Sequence, residues 1–213
     1  GHACFLVESD AGVRVLMDPY QPGAFGGAIG LKPFLEKVDC ITSSHDHLDH
    51  YHMDAAFGDP AVLRHAGVAC GIRFDAIELP HGTPDGASRG QVRAFRYEMD
   101  GVVVFHPGDT GRVLSPAELK AVGRVDVLMV PVGGHFTIGP TEATAMIRQL
   151  NPAIAIPMHF QSAAIQLPIA PLPVFLREWG TWDKAERQPV VITPNTLPEP
   201  TQVLVLDATH ALR

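Results

Sequence analysis

The chain has 213 residues, a mean hydropathy of +0.11 and a formal net charge of −7, with 46% hydrophobic and 18% charged residues. This composition argues against an intrinsically disordered chain, and no apolar run approaches the roughly 18 residues that a membrane span needs. The acidic balance disfavours a nucleic-acid partner, because such affinity rests on clustered Lys and Arg. We therefore expect a soluble protein that does not bind nucleic acid.

Length and cysteine content predict the organisation and setting of the protein. A chain of this length buries one substantial core or two packed sheets, and we expect a single domain over residues 1–213. The sequence opens on Gly1 without an initiating Met, so a further strand upstream is left open. Cys4, Cys40 and Cys70 are odd in number and far apart, so we expect no disulfide framework, no cysteine zinc site and a cytoplasmic location. A homo-oligomer is also left open.

Short β-rich runs recur along the chain and predict a protein dominated by sheet. Between two of them, Asp100 and Gly101 predict a hairpin with a type I′ turn, which needs positive φ at both central residues. The runs cover residues 4–8, 13–17, 38–42, 76–79, 92–97, 102–106, 125–130, 153–157, 190–193 and 203–206.

Two helices are predicted from end signals and periodicity. Ser115, Pro116 and Glu118 combine a capping box with proline at the first helical position. In residues 140–150, apolar side chains fall at i, i+3, i+4 and i+7, as in an amphipathic helix. The proline-rich residues 167–173 are interpreted as a loop. A block of strands followed by alternating helices and strands predicts two packed sheets with helices outside.

Four ligand-type side chains lie in the short segment from His45 to His50. His45 and His47 point to the same side of an extended strand end, and a turn directly after them can aim Asp49 and His50 at an adjacent position. This pattern favours two metal ions and has no packing explanation. Neutral imidazoles and a carboxylate suit Zn²⁺, and they also accept Mn²⁺ or Fe²⁺.

Three further ligand-type residues each follow an apolar run that predicts a strand. They are His81, Asp109 and His159. This placement is what a site at the edge of a sheet requires, so we expect these three residues to join the first four. The remaining histidines outside the substrate candidates are interpreted as solvated or hydrogen-bonded residues: His52, His65, His106 and His210.

The string His45-x-His47-x-Asp49-His50 resembles the signature of the metallo-β-lactamase superfamily, and the resemblance extends across nearly the whole chain. It is strongest to the zinc-hydrolase branch that includes ascorbate-phosphate lactonases and, more distantly, phosphodiesterases. The resemblance implies an α/β fold with four αββα layers, in which two packed mixed β-sheets are flanked by helices. It is specific for fold and metal site and poorly specific for substrate. The further matches are Gly1-His2-Ala3, Met17-Asp18-Pro19, Gly108-Asp109-Thr110-Gly111, Pro131-Val132-Gly133-Gly134 and Ile156-Pro157-Met158-His159.

The resemblance also implies a role for each ligand. One ion would be held by His45, His47 and His81, and the other by Asp49, His50 and His159, with Asp109 as the bridge. The expected cofactors are therefore two divalent ions, zinc first, with manganese or iron as alternatives. Two such ions lower the pKa of a shared water towards neutrality, and Asp49 would orient that water or accept its proton. Asp18 has two interpretations: it orients a metal ligand without binding the metal itself, or it simply forms the turn before Pro19.

Three residues around the predicted site are candidates for contact with the substrate. His135 follows a glycine pair, and we expect it to contact substrate or to donate a proton in catalysis. His2 belongs to the motif at the chain start. Arg89 could meet a phosphate or carboxylate group, although a solvated surface arginine is the favoured interpretation. For His135 and His2 the alternative is an ordinary loop histidine.

These residues predict a hydrolase that uses a dinuclear site to activate water against a small ester, lactone or phosphoester. Asp109 separates the chain from antibiotic-hydrolysing members, which carry cysteine there. His47 favours hydrolysis over oxygen reduction, because the flavodiiron relatives usually place glutamate at that position. The alternatives are a mononuclear iron oxygenase of the persulfide-dioxygenase type, a phosphodiesterase resembling tRNA-processing endonucleases, and a non-catalytic metal-binding protein.

Overall fold

The computed structural model describes residues 1–82 and 89–207, which form two β-sheets. The smaller sheet has the order β1-β2-β3-β4; β1 and β2 are antiparallel, while β2, β3 and β4 are parallel. Its strands are β1 (Phe5–Glu8), β2 (Arg14–Met17), β3 (Cys40–Thr42) and β4 (Ala61–Leu63).

The larger sheet has eight strands in two regions of different direction. Its strands are β5 (Gly67–Ala69), β6 (Ile72–Pro80), β7 (Gln91–Met99), β8 (Val102–His106), β9 (Val127–Pro131), β10 (Ile154–Met158), β11 (Asp183–Lys184) and β12 (Gln202–Val205). The spatial order is β11-β12-β10-β9-β8-β7-β6-β5. Strands β5 to β8 form an antiparallel meander, and β8, β9, β10, β12 and β11 are mutually parallel neighbours.

Four short helices accompany the sheets, namely α1 (Ala24–Gly27), α2 (Pro116–Val122), α3 (Pro140–Leu150) and α4 (Leu172–Trp179). None of the helices in the described part of the chain has the length and apolarity that a membrane crossing needs.

Alternating side chains in the strands separate three apolar clusters. In β2, Val15 and Met17 belong to the cluster between the two sheets, whereas Leu16 belongs to the cluster on the outer face of the smaller sheet. The third cluster joins the larger sheet to α2, α3 and α4. The outer cover of the smaller sheet is α1, the 3₁₀ turn Ala55–Phe57 and irregular chain. The predicted α/β fold of two packed mixed sheets with flanking helices is confirmed.

Several local predictions are also confirmed. Helix α2 begins with the capping box, in which the Glu118 carboxylate accepts from the Ser115 amide at 2.7 Å. Asp100 and Gly101 have φ of 49° and 80°, which the β7–β8 hairpin requires. Two predictions are wrong. Residues 190–193 form no strand, and α4 begins at Leu172, inside the segment interpreted as a loop.

The expectation that the cysteines indicate no disulfide is also wrong. Cys40 in β3 and Cys70 in the turn between β5 and β6 form a disulfide, with Cα atoms 6.8 Å apart. The bond joins the two sheets, and a separation of 30 residues in the sequence does not reveal that these positions face each other. The cysteine content therefore no longer supports a reducing compartment. Cys4 is free and buried, and burial raises the pKa of its thiol to about 11.

Candidate metal centre

The predicted ligands come from strand ends that meet at one edge of the sheets. Strands β6, β8 and β10 run in the same direction, because β6 and β8 are both antiparallel to β7 and β10 is parallel to β9. His81, Asp109 and His159 follow the ends of these three strands. The segment from His45 to His50 follows β3 of the smaller sheet. All seven predicted ligands therefore lie together.

Three histidines form the first group. His47 Nδ1 lies 2.9 Å from His45 Nε2 and 3.2 Å from His81 Nε2. Zinc–nitrogen bonds of about 2.0–2.1 Å in a tetrahedral site place ligand atoms roughly 3.4 Å apart. Three ring nitrogens that converge at nearly this spacing fit a metal ion.

A single carboxylate oxygen lies between this group and the remaining ligands. Asp109 Oδ2 is 3.1 Å from His50 Nε2 and 3.3 Å from His159 Nε2. The same oxygen is 4.0 Å from His45 Nε2 and 3.9 Å from His81 Nε2. Asp109 Oδ2 thus faces ligand nitrogens of both groups.

The second group contains Asp49, His50, His159 and, in addition, His2. Asp49 Oδ2 is 3.5 Å from His50 Nε2 and 3.9 Å from His159 Nε2. His2 Nε2 is 3.0 Å from the same oxygen, and its ring centroid lies 4.1 Å from that of His159. One ligand atom from each of the four residues lies within 4.8 Å of the others. All four side chains are buried.

Unpartnered polar atoms support a metal ion at this point. Within the described residues, His50 Nε2, His159 Nε2 and Asp109 Oδ1 are buried and have no hydrogen-bond partner. Each buried unsatisfied group costs about 1–3 kcal/mol, so native proteins keep few of them. Three such atoms in one cluster of His and Asp side chains match the donor set of a divalent transition metal.

The histidines differ in protonation. Burial, with the charge of His50, lowers the pKa of His45 to about 3, and burial likewise lowers that of His81 to about 4. Both rings are therefore neutral near pH 7, the form that binds a metal. Burial also opposes protonation of His50, but the charges of Asp109 and Asp49 outweigh it and raise the pKa of His50 well above its usual value. The cluster thus holds a positive charge where an ion would supply one.

The two carboxylates remain ionised in spite of burial. Burial raises the pKa of Asp109, but the charges of His159 and His50 hold it well below the usual range. For Asp49, the charge of His50 and the hydrogen bond from His2 overcome the same penalty and lower its pKa. Both side chains are available as anionic ligands.

Asp18 orients one ligand from each group. Its Oδ2 lies 2.8 Å from His50 Nδ1 and accepts from the Ser44 hydroxyl at 2.6 Å. Because that hydroxyl proton goes to Asp18, the Ser44 oxygen accepts from His45 Nδ1 at 2.9 Å. Nδ1 of both rings therefore carries a proton, and Nε2 of both rings faces Asp109. A serine at a strand end has no metal-site signal, so the sequence could not indicate Ser44.

The other histidines lie outside the ligand set. His106 is buried, with Nε2 2.9 Å from the carbonyl oxygen of Ala3, and His52 and His65 are more exposed. His210 lies outside the described residues. The structure does not bring His135 into the cluster: its side chain is exposed, and its ring packs edge-on against Phe136. A catalytic role for His135 stays a prediction.

Gly133 provides the close approach on which the second group depends. A Cβ atom at this position would overlap the carbonyl oxygen of His159. We expect Gly133→Ala to lower the free energy of unfolding by about 1–3 kcal/mol and to weaken metal binding, because His159 must move. Denaturant unfolding and metal analysis measure both effects. The control is Gly67→Ala, whose Cβ would meet only a Leu63 methyl at 3.3 Å. Equal metal loss in the two variants would contradict the argument.

Comparison with known proteins places the chain in a family. Residues 1–159 match the model described as the beta-lactamase superfamily domain. The chain belongs to the metallo-β-lactamase superfamily. A UPF0173 protein of Pyrococcus furiosus is 36% identical over 181 residues, which cover 75% of this chain and 80% of the relative. A UPF0173 metal-dependent hydrolase of Thermococcus kodakarensis is 31% identical over 197 residues, covering 76% and 83%.

A solved structure from the same superfamily supports this placement. The crystal structure of a candidate zinc-dependent hydrolase of the superfamily from Thermotoga maritima has a TM-score of 0.75 and 30% identity, and the match covers 97% of this chain and 95% of that one. None of these three names specifies a substrate. The resemblance to ascorbate-phosphate lactonases therefore stays a prediction.

Proposed function

We propose that the protein hydrolyses a small ester, lactone or phosphoester at a dinuclear metal site. That it is a metal-dependent hydrolase of the metallo-β-lactamase superfamily follows from its relatives and from the His and Asp cluster. The observation that supports two ions is the position of Asp109 Oδ2, within 4.0 Å of ligand nitrogens from both groups. A single ion would use only one of these groups.

The proposed ligand sets follow this division. One ion is assigned to His45, His47 and His81, the other to Asp49, His50 and His159, and Asp109 to both. Two divalent ions bound there would lower the pKa of water towards neutrality and stabilise negative charge that develops on the substrate. Zinc is the proposed metal, because imidazole and carboxylate ligands suit it, with manganese or iron as alternatives.

The chain's own residues supply orientation and a proton acceptor. Asp49 is ionised and lies at the second group, where it can accept the proton of an attacking water. His2 Nε2 contacts Oδ2 of Asp49 at 3.0 Å and thereby helps to position this carboxylate. Asp18 and Ser44 fix the ring orientation of His45 and His50. No serine or cysteine nucleophile is required.

A small-molecule substrate is proposed in preference to nucleic acid. The formal net charge of −7 gives no general attraction for a phosphate backbone. An electrophoretic shift with RNA at low salt tests this directly, and binding there would favour the endonuclease-like alternative.

Metal analysis with a substrate screen tests the proposed function. We expect two equivalents of metal after loading with Zn²⁺ or Mn²⁺, and hydrolysis of at least one member of a panel of 4-nitrophenyl esters, lactones and phosphodiesters. Less than one equivalent together with no hydrolysis would refute the proposal. A redox-active single iron with oxygen consumption would instead favour the oxygenase.

His2 gives a more specific prediction for the same site. We expect His2→Ala to reduce kcat by about 10- to 100-fold, the usual cost of losing a residue that orients a ligand. His2→Gln should recover much of this loss, because its amide can donate to Asp49 from near the Nε2 position. The absorption spectrum of the cobalt-loaded protein should change in His2→Ala. The control is His52→Ala, a more exposed histidine outside the cluster. Unchanged rates and spectra in His2→Ala would contradict this role.

A further inference from the structure

Arg89 is held in a defined position beside the metal cluster. Its side chain lies against Gly82, the residue after His81, where an added Cβ would be 2.6 Å from Arg89 Cδ. Its guanidinium carbon lies 4.5 Å from the centre of the Phe136 ring, a distance typical of cation–π stacking. Two contacts therefore fix the position of this exposed arginine, one to its aliphatic stem and one to its guanidinium.

The two residues that contact Arg89, Gly82 and Phe136, both lie in segments that adjoin predicted metal ligands. Gly82 directly follows His81 of the first group. Phe136 belongs to the loop that begins at Gly133, which lies against the carbonyl oxygen of His159. The end of this loop is held by the amide of Ile138, which donates to the carbonyl of Thr110 at 2.8 Å, and Thr110 pairs with His81. The contact between Arg89 and Phe136 thus joins a segment next to the first group of ligands to a loop next to the second group.

The donors of this guanidinium have no acidic partner within the described residues. Other arginines of the chain do pair: Arg112 binds Glu118 through two nitrogens, at 2.7 and 2.9 Å, and Arg124 binds Asp126 at 2.6 Å. For Arg89, by contrast, the described residues provide a ring contact with Phe136 and no acceptor for its N–H groups. A guanidinium edge matches the two oxygens of a carboxylate or phosphate.

Charge at the centre points in the same direction. Two divalent ions bound with the ionised Asp49 and Asp109 would leave two positive charges in excess, and Arg89 adds a third at the rim. In a protein with a formal net charge of −7, this concentrates positive potential at one place. A substrate that already carries a negative charge would be attracted by this potential.

We propose that Arg89 and Phe136 form an oxyanion clamp that binds a carboxylate or phosphate group of the substrate, next to the bond that is hydrolysed. This assignment rests on the proposed function and narrows its substrates to anionic molecules. Arg89 provides the bidentate contact, and Phe136 fixes the plane of the guanidinium and offers an apolar face to the carbon atoms beside the anion. The clamp determines specificity and takes no part in bond cleavage.

Two esters that differ in one charge test the clamp in the metal-loaded protein. The probes are 4-nitrophenyl acetate and 4-nitrophenyl hemisuccinate, which carries a free carboxylate. We expect Arg89→Gln to raise KM for the hemisuccinate by about 10- to 100-fold, and to leave kcat/KM for the acetate within about twofold. KM of Arg89→Lys for the hemisuccinate should lie between those of wild type and Arg89→Gln, because lysine keeps the charge and loses the two-pronged geometry of the guanidinium. Phe136→Leu should raise KM for the hemisuccinate less than Arg89→Gln does.

The matched control is Arg73→Gln, which removes the same charge from an exposed arginine near the start of β6, at the far end of that strand from His81. It should leave KM for both esters unchanged. Equal behaviour of Arg89→Gln and Arg73→Gln towards the hemisuccinate would overturn the clamp.

A binding measurement separates the clamp from the proposed function. Titration calorimetry with inorganic phosphate, on metal-loaded wild type and Arg89→Gln, needs no hydrolysis. About tenfold weaker phosphate binding in the variant supports the clamp, even if no ester is cleaved and the proposed function fails. Equal phosphate affinity with an unchanged KM for the hemisuccinate overturns it. An effect on only one of the two probes supports the clamp and identifies carboxylate or phosphate as the preferred group.

Discussion

Replacing Asp109 by asparagine is expected to reduce bound metal from two equivalents to one or fewer, and to lower hydrolysis by well over 100-fold. The reason is the central position of Oδ2, which faces His50 and His159 at 3.1 and 3.3 Å and His45 and His81 within 4.0 Å. An amide is a poor ligand for two cations. Mutation of a residue that only orients a metal ligand already lowers metal affinity or activity by about 10- to 100-fold, so the loss of a shared ligand should exceed that range.

The control for Asp109→Asn is the same exchange at Asp75, a carboxylate on β6 that pairs with Arg73 and Arg96. Asp75→Asn should keep both equivalents of metal and the full rate. Metal analysis and initial rates, measured together, decide the matter. Two tightly bound equivalents in Asp109→Asn would show that Asp109 does not bridge the ions.

Replacing Asp18 by asparagine should destabilise the metal-free protein by about 3–5 kcal/mol, because it breaks a buried charged network. Burial raises the pKa of Asp18, but the charge of His106 and the hydrogen bonds from His50 and Ser44 hold it low, so the native carboxylate is ionised. The backbone of Asp18 has φ of 43°, which asparagine tolerates. The loss therefore reports the side chain and not backbone strain.

Thermal and denaturant unfolding in the presence of a chelator measure this effect, and metal titration measures its consequence for binding. For a chain of this size, 1 kcal/mol corresponds to roughly 2–4 °C in Tm. Asp39→Asn is the matched control, since the exposed Asp39 carboxylate accepts only from the Arg14 amide in the described structure. A loss in Asp18→Asn no larger than that in Asp39→Asn would refute the network.

Local signals predicted the elements whose ends are fixed by specific side chains. The capping box of Ser115 and Glu118 located α2, and the pair Asp100 and Gly101 located the β7–β8 hairpin. Both predictions succeed because the local residues alone determine the structure: the capping side chains fix the start of the helix, and the residues with positive φ fix the hairpin turn.

Elements that depend on distant partners were not predicted. Strands β4 and β5 have three residues each, and of these six residues Leu63 alone is buried, so the two strands lack a periodic pattern. Helix α4 was concealed by prolines, which its first turn tolerates. Residues 190–193 alternate like a strand, and Val190 and Ile192 do pack against the core between the sheets while Val191 is exposed. Periodicity reports burial, and it does not reveal whether a neighbouring strand is present to pair with.

In the site, too, features that local sequence determines were predicted, and features that depend on distant residues were not. The positions of the seven ligands followed from the motif, because a strand end and ligand type together limit where each side chain can lie. The link from Asp18 through Ser44 to His45 could not be predicted, since it depends on how two strands of the smaller sheet align. Nor could the stacking of Arg89 on Phe136, whose residues are far apart in the sequence.

The network around Asp18 has a consequence for metal uptake. A ligand of the first ion and a ligand of the second take their tautomer from the same carboxylate, so the two binding equilibria are thermodynamically linked. Asp18 holds both rings in the metal-free protein, so an ion bound at either group would further restrict Asp18 and, through it, the ring of the other group. We expect positive cooperativity between the two metal-binding steps, with half-loaded molecules scarce throughout a titration.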